Sequence, residues 1–309
     1  MRLALAICGL LLAACTGEGP VALSPQAPAA SPAPPARVTP PTPASLALAR
    51  QYRRLEADLL TRGLLRTDGG GPDTIFSQGD LVENFVRIAL FDEHVGGAST
   101  LVRSGAPSRL RRWDGPVRIG LEFGASVPEA VRAQDRATVT AYAERLARAT
   151  GHPISVGGPA NFHVMVLRED ERRAIGPRLQ QLIPGISPGS VRTIETLPPT
   201  VLCVALAFAG GTSLSQYTQA VAVIPAEHPD LMRLSCYHEE IAQGLGLAND
   251  SPQARPSIFN DDEEFATLTR HDELLLGILY DERLRPGMTP GQARPVVEVV
   301  AAEALGGGS

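Results

Sequence analysis

The sequence predicts an α+β domain, and three observations lead to that fold class. Between residues 116 and 245, segments with the pattern of a strand alternate with segments of helical periodicity. The chain returns to helical periodicity after residue 268, so helices also form a separate part near the end. Of the 309 residues, 44% are hydrophobic and 20% are charged, which is typical of a globular body rather than of a disordered chain.

The charge distribution excludes one class of function. The formal net charge is −5, and the 28 Lys and Arg residues are scattered along the chain without forming a basic stripe. Nucleic-acid-binding domains concentrate positive charge on one face or along one helix. We therefore expect no nucleic acid among the partners of this protein.

The N-terminal part of the chain is typical of an export signal followed by a tether. Residues 1–14 form an apolar run shorter than the roughly 20 residues that cross a bilayer, which indicates a signal peptide. Leu12–Cys15 resembles a bacterial lipobox, implying cleavage before Cys15 and a lipid attached to it; an ordinary signal peptide cleaved elsewhere is the alternative. Residues 15–45 are rich in Pro and Ala and predict a stiff, unfolded spacer. We expect a single domain over residues 46–309, lipid-anchored to a membrane of the bacterial cell envelope and facing the periplasm.

The elements of the domain follow from periodicity, caps and breakers. Ser77 with Asp80 three residues later resembles a capping box, and Gly151 closes a long helix rich in Ala and Arg. The segment 201–208 is apolar throughout, as a strand covered on both faces would be. In chain order, we predict helices from Ser45 and from Ser77, a strand at 116–123, a helix at 127–150, a strand at 162–167, a helix at 169–183, strands at 201–208 and 220–224, and a helix from Pro229 to Leu245.

The four cysteines fit an exported protein. Cys8 leaves with the signal peptide and Cys15 carries the lipid, so Cys203 and Cys236 remain in the domain. An exported domain with two thiols often pairs them as a disulfide. Two buried free thiols are an equally acceptable arrangement, because unpaired cysteine is among the most buried residue types.

The stretch Cys236–Asp250 resembles the active-site helix of a metzincin, whose pattern is H-E-x-x-H-x-x-G-x-x-H/D. In that pattern two ligands four residues apart share one helix face, and a glycine lets the chain turn to bring a third. The resemblance implies a zincin-like fold, with a mixed sheet, a central motif helix and a helical lower part. Five residues stand at the key positions: Glu239 for the first zinc-binding His, Glu240 for the general base, Gln243 for the second His, Gly246 for the turn glycine and Asn249 for the third ligand.

The replaced ligands change the expected chemistry of the site. Zinc in proteins is held by imidazole, thiolate or carboxylate groups, whereas Gln243 and Asn249 offer neutral amide oxygens. Such a set suits calcium better than zinc. We expect no metal cofactor, with zinc and calcium as the alternatives, and we expect Glu239, Gln243, Asn249 and Asp250 to line a binding cleft.

His238 precedes these positions and imitates the start of an H-E-x-x-H motif, but the fourth residue after it is Ala242. On a helical wheel His238 shares a face with Ile241 and Leu245, the expected core stripe. A core histidine with satisfied ring nitrogens is therefore favoured over a metal ligand.

Two features follow the motif helix. The acidic run 260–264 lacks the alternating Asp spacing and central Gly of a calcium loop, so a solvated turn is favoured over an ion site. Thr269 with Asp272 predicts a helix N-terminus, and Leu275, Ile278 and Leu279 would pack that helix under the sheet.

Three segments in combination resemble bacterial domain-of-unknown-function family 2927: residues 239–250, Ser257–Asp261 and the segment from Leu279 to Met288. The resemblance covers most of the chain after the spacer. Members of that family are often lipoproteins, and the family brings no assigned activity.

Two hypotheses about function remain open at this stage. The first is a non-catalytic, zincin-like envelope lipoprotein whose cleft binds a peptide or another envelope protein, with the sheet edge beside the motif helix holding the peptide by strand addition. The second is a metallohydrolase, in which Glu240 activates water on an ion held by Glu239, by Asn249 or Asp250, and by one further group. The lost imidazoles favour the first hypothesis, so we regard catalysis as undecided and lean against it.

Overall fold

The computed structural model describes residues 40–97, 100–210, 214–260 and 262–306. The predicted signal peptide, Cys8, Cys15 and nearly all of the predicted spacer lie outside these residues. No helix among the described residues is long and apolar enough to cross a membrane.

The described part of the chain alternates helices and strands. Its helices are α1 (Pro43–Thr61), α2 (Gln78–Ala89), α3 (Glu129–Thr150), α4 (Glu169–Arg172), α5 (Gly176–Leu182), α6 (Pro188–Glu195), α7 (Asp230–Leu245), α8 (Arg270–Leu279) and α9 (Pro290–Gly306). Its strands are β1 (Phe91–Gly97), β2 (Thr100–Pro107), β3 (Arg112–Trp113), β4 (Val117–Phe123), β5 (Ile154–Val156), β6 (Phe162–Leu167), β7 (Val204–Ala209) and β8 (Gln216–Pro225).

A six-stranded, mostly parallel sheet forms the centre of the fold. Its order is β3-β8-β6-β4-β5, and these neighbours are parallel, whereas β7 pairs with β8 antiparallel. The segment 220–223 of β8 pairs with β6 on one side and with β7 on the other. Among the described residues β7 pairs with β8 alone, so β7 is an edge of the sheet. The predicted mixture of helices and a mixed sheet is confirmed at this level.

The sheet separates two apolar layers, as the alternation of strand side chains requires. In β6, Val164 and Val166 face the larger layer, which contains buried residues of α2, α3, α7, α8 and α9. Met165 and Leu167 face the smaller layer, which α5, α6 and the turns beside them cover. The motif helix α7 and the helix α6 therefore lie on opposite faces of the sheet.

Local sequence signals set many of the element ends. Ser77 and Asp80 form the predicted capping box at α2, and Thr269 and Asp272 form one at α8. Gly151 ends α3 with a φ of 65°, a left-handed conformation in which a glycine has no steric penalty.

Two predictions about the elements are corrected by the structure, and some elements were not predicted. The segment 169–183 forms two short helices instead of one, because the sequence Gly176-Pro177 restarts the helix and Pro177 has no amide hydrogen to continue the first one. The helix α6 was not predicted, because it begins with Pro188-Gly189, a pair that is typical of a turn, and the β1–β2 hairpin was not predicted either. The apolar segment 201–208 gives an edge strand of intermediate burial, not a strand covered on both faces.

The strand β7 is apolar throughout, although it lies at the edge of the sheet, for a physical reason. Ala205 and Ala207 pack against the larger apolar layer, whereas Val204, Leu206 and Phe208 pack against the smaller one. Both faces of the strand are therefore in contact with apolar groups. Its residues are nevertheless only partly buried, and Ala209 at its end is exposed.

The helix α1 packs on the outside of the domain. Leu48, Tyr52 and Leu59 form a small apolar cluster with Met232 of α7 and with Ala266. The hydroxyl of Ser45 donates a 2.6 Å hydrogen bond to Glu227, which lies shortly before the start of α7. The helix that follows the predicted spacer thus contacts the segment that leads into the motif helix.

Candidate functional site

A cleft of about 780 Å³ lies along the edge of the sheet between β7 and α7. Every residue from Leu202 to Ala207 lines it, so the cleft follows the edge of β7 along most of its length. Glu239, Glu240 and Gln243 of α7 line the cleft as well. Thr193 and Thr196, at the end of α6, lie along another part of its wall. A volume between 300 and 1,000 Å³ is typical of ligand sites in proteins.

The position of α7 is set by close packing at two glycines. Gly244 lies against Phe162 of β6, where an added Cβ would overlap the aromatic ring. Gly246 ends the helix with a φ of 129°, and an added Cβ there would collide with the carbonyl of Arg111. The indole nitrogen of Trp113 donates a 2.8 Å hydrogen bond to the Gly244 carbonyl, which is near the end of the helix. These contacts fix the end of α7 against the sheet.

The first turn of α7 is fixed by a buried ion pair. Arg233 Nε lies 3.1 Å from Asp135 Oδ1 of α3, and the two side chains are only 5% and 4% exposed. Arg233 also donates hydrogen bonds to Asp230 and to the carbonyl of His228. Burial of such a pair is costly unless both charges stay paired, so the contact defines one position of the helix against α3.

A disulfide joins the two walls of the cleft. Cys203, the residue before β7, is bonded to Cys236 in the middle of α7, with a Cα–Cα distance of 5.9 Å. The sequence left this pairing open, because spacing alone does not determine whether two thiols meet. The bond fixes the start of the edge strand relative to the motif helix.

Three of the predicted cleft residues, Glu239, Gln243 and Asp250, lie together with Glu240, the predicted general base. Glu239 and Gln243 are half-buried, Glu240 is 3% exposed, and all three line the cleft with Asp250. The Gln243 amide donates a 3.3 Å hydrogen bond to Asp250 Oδ1. One oxygen from Glu239, one from Glu240 and the sulfur of Cys203 all lie within 4.8 Å of one another.

Asn249 does not line the cleft, which corrects the prediction for this residue. Its side chain is buried, and its amide donates a 2.8 Å hydrogen bond to the carbonyl of Arg87 near the end of α2. The backbone amide of Asn249 donates to the carbonyl of Ile88. Asn249 therefore connects the chain after α7 to α2 and does not face the carboxylates.

His238 lies in the core, as the helical wheel predicts. Its ring stacks on Tyr142 with centroids 4.0 Å apart, and its Nδ1 accepts a 2.9 Å hydrogen bond from the amide of Leu268. Burial, with a smaller contribution from the positive charge of Arg145, lowers the pKa of His238 to about 3. The imidazole is therefore neutral at physiological pH and positions the chain that leads into α8.

The groups in the cleft do not fit a zinc ion. Among the described residues, one group of three possible ligand atoms lies close together, and it consists of Cys203, Glu239 and Glu240. The sulfur of Cys203 belongs to a disulfide and cannot act as a thiolate. Within this group two carboxylates remain, whereas a catalytic zinc site uses three protein ligands.

Two charged residues of the cleft were missed by the sequence reasoning. Arg111 lies between β2 and β3, and Glu263 lies in the acidic run, with a φ of 58° that non-glycine residues rarely adopt. Neither is part of a motif, and only the folded chain brings them to the cleft. The acidic run itself is held by ion pairs, since Glu264 contacts both Arg66 and Arg255.

Behind the wall formed by residues 197–203 lies a small polar pocket. It has a volume of about 10 Å³, roughly one water molecule, and Tyr52, Glu169 and Glu227 line it. Burial raises the pKa of Glu227, and burial together with the nearby Glu227 charge raises the pKa of Tyr52 to about 12. His228 Nε2 donates a 2.8 Å hydrogen bond to the Leu202 carbonyl. These contacts hold the wall of the cleft from behind.

The fold and the cleft define a mixed α/β domain with an open strand edge beside a central helix. The chain belongs to the family described as "Protein of unknown function (DUF2927)", which matches residues 78–299. The expected family is therefore confirmed, while the resemblance to zincins stays a prediction. Neither a curated protein nor a solved structure matches the chain. The helix α1 lies outside the matched residues.

Proposed function

We propose that this protein is a non-catalytic binding module whose cleft takes an extended peptide segment, which adds as a strand to the edge of β7. The observation that carries the proposal is the position of that edge. No strand among the described residues pairs with the side of β7 that faces the cleft, and the cleft runs along it. An open strand edge offers a row of amide and carbonyl groups, which is the basis of peptide recognition by strand addition.

The surroundings of the edge support binding rather than aggregation. An exposed strand edge usually invites pairing with other chains, and proteins limit this by covering or charging it. Here α7 lies on one side of the edge and the end of α6 on the other, so the edge is flanked by two helices. The disulfide Cys203–Cys236 keeps this spacing constant, which reduces the entropic cost of ordering the site on binding.

We further propose that the module works at the surface of an envelope membrane. A lipid on Cys15 would hold the chain at an envelope membrane, and the Pro- and Ala-rich residues that follow would keep the cleft at a distance from the surface. Detergent phase partitioning of the expressed full chain tests this part separately. We expect the protein in the detergent phase and the Cys15→Ser variant in the aqueous phase; an unchanged distribution would refute the anchor.

The binding proposal is tested with a displayed library of random dodecapeptides, selected on the full chain. The best peptide is then synthesised with single N-methyl groups at successive positions. In an added strand, the amides of alternate residues point to the partner strand, so N-methylation should abolish binding at every second residue. A loss of binding that does not recur at every second residue would refute strand addition, and so would a selection that enriches no peptide.

A further inference from the structure

The outer face of α1 carries an arginine cluster, which consists of Arg50, Arg53 and Arg54. All three side chains are exposed, whereas the buried residues of the helix, which face the domain, are Ser45, Leu48, Tyr52 and Leu59. On a helical wheel Arg50 lies opposite these buried residues, and Arg53 and Arg54 lie one turn further along the same face. Although the arginines are scattered over the chain as a whole, α1 therefore concentrates three of them on one face of a protein with a net charge of −5.

The protein does not neutralise the arginine cluster with its own carboxylates. Of the two acidic residues of α1, Asp58 pairs with Arg62 at 3.5 Å, and Glu56 accepts a 3.1 Å hydrogen bond from the amide of Met232. No acidic side chain in the described part of the chain forms an ion pair with the cluster. Like charges three and four residues apart destabilise a helix, so an anion bound to this face would relieve their repulsion.

Exposed leucines flank the arginine cluster at both ends. Leu46 lies one turn before Arg50, and Leu60 lies beyond Arg54; their exposed fractions are 46% and 49%. Basic side chains together with exposed apolar ones are typical of helices that lie at the interface between a membrane and water. Guanidinium groups also match the geometry of phosphate oxygens, which they bind through two parallel hydrogen bonds. The face therefore fits a surface that presents phosphate groups above an apolar layer.

We propose that the outer face of α1 binds the surface of a membrane that contains anionic phospholipids, with the arginine cluster on the headgroup phosphates. This inference rests on the proposed membrane location and is independent of peptide binding. The helix begins at Pro43, 28 residues after Cys15. A stiff spacer of that length spans at most about 90 Å. A lipid on Cys15 would therefore keep α1 near the membrane, where a high effective concentration makes even weak contacts sufficient.

Docking through this face leaves the rest of the domain in water. The opposite face of α1 packs on Met232 of α7, and a helix with its side chains is about 10 Å thick. The helix α7 would thus stay at least that far from the headgroups. The spacer sets the greatest distance of the domain from the membrane, and α1 sets its orientation when the domain is docked.

The test measures co-sedimentation with vesicles. It uses the full chain with Cys15→Ser, so that no lipid on Cys15 holds every variant to the membrane. The vesicles are phosphatidylcholine, alone or with roughly 30% phosphatidylglycerol. We expect tighter binding to the anionic vesicles, and about a hundredfold weaker binding to them when Arg50→Gln, Arg53→Gln and Arg54→Gln are combined, because each basic residue near an anionic surface contributes a factor of about five. Lysine at the same three positions should retain the binding, and about 0.5 M salt should weaken it.

The matched control removes the same charge elsewhere. It combines Arg148→Gln, Arg192→Gln and Arg285→Gln, three exposed arginines on separate elements. This variant should bind the anionic vesicles nearly as tightly as the parent chain. Any contribution of the apolar residues 1–14 is the same in all variants. Because all six arginines are exposed, the variants are expected to fold, which thermal unfolding of the same samples verifies.

Three results would overturn this inference. The first is equal binding of the parent chain to both kinds of vesicle, and the second is an equal loss of binding in the two triple variants. The third is displacement by millimolar glycerol phosphate, which would indicate a site for a single phosphate group instead of a surface. Failure of the proposed anchor would appear in the phase partitioning of the full chain, and failure of the cleft in the peptide selection. Neither changes the result expected with vesicles.

Discussion

The disulfide between Cys203 and Cys236 connects the first residue before the edge strand to the middle of the motif helix. The two cysteines are 33 residues apart in the chain, and the β7–β8 hairpin lies between them. The bond thus closes a loop around the strand pair that forms the edge of the sheet. Both walls of the cleft are attached to it, so stability and binding should depend on it together.

Removal of the disulfide should lower the free energy of unfolding by about 3–4 kcal/mol, the loop-entropy value for a closed loop of this size. The Cys203→Ala, Cys236→Ala double variant would show this in chemical denaturation under non-reducing conditions. The wild-type protein in excess reductant is the matched control and should resemble the variant. A double variant as stable as the oxidised wild type would mean that the bond does not restrain the unfolded chain.

The buried ion pair between Arg233 and Asp135 gives a second prediction. Asp135→Ala leaves a buried guanidinium without its main counter-charge, and should cost about 3–5 kcal/mol in unfolding free energy. The exposed pair of Arg283 and Glu303 is the control. In chemical denaturation of both variants, Glu303→Gln should barely change the midpoint of unfolding because the charge is solvated. Similar midpoints for the two variants would show that the Asp135 contact does not position α7.

Two glycine substitutions should change the free energy of unfolding in opposite directions. Gly244→Ala places a methyl group into the ring of Phe162, and we expect a loss of about 1–3 kcal/mol in spite of the better helix propensity of alanine. Gly291→Ala in α9 meets no atom within 4 Å and should stabilise by about 0.4–1 kcal/mol. Thermal unfolding of both variants measures the difference. A stabilising Gly244→Ala would contradict the close packing of α7 on β6.

His238 should contribute to acid sensitivity. Its pKa is lowered to about 3 in the folded protein, whereas an unfolded histidine titrates near 6.5, so the unfolded chain binds the proton more readily. The stability contributed by neutral His238 is complete above pH 6.5 and decreases as the pH falls towards 3. His238→Asn should reduce the slope of unfolding free energy against pH, between pH 6 and 4, by up to about 1.4 kcal/mol per pH unit. An unchanged slope would contradict the buried, neutral imidazole.

Local signals predicted the parts of the fold that depend on neighbouring residues. The capping box at Ser77, the terminating Gly151 and the apolar face that places His238 in the core are all visible in the sequence, because each involves residues a few positions apart. The segment 169–183 was predicted as one helix because its periodicity continues across Gly176-Pro177, and the effect of the proline was underestimated.

The site was only partly predictable, since it is assembled from distant segments. The motif helix predicted that Glu239, Glu240 and Gln243 share one region, but the direction of Asn249 depends on the carbonyl of Arg87, 162 residues away. Arg111 has no local signal at all, and the acidic run that contains Glu263 was interpreted as a solvated turn. The edge position of β7 is also non-local, because an apolar strand in contact with two layers has the same composition as a central strand.

Amide hydrogen exchange of β7 with the selected dodecapeptide tests the central claim most directly. Strand addition places the cleft-facing amides of Val204–Ala209 in new hydrogen bonds, so we predict that their exchange slows markedly when the peptide is bound, while exposed amides at the start of α3 are unchanged. Binding that leaves the exchange of β7 unaltered would show that the peptide occupies another surface, and would contradict the account.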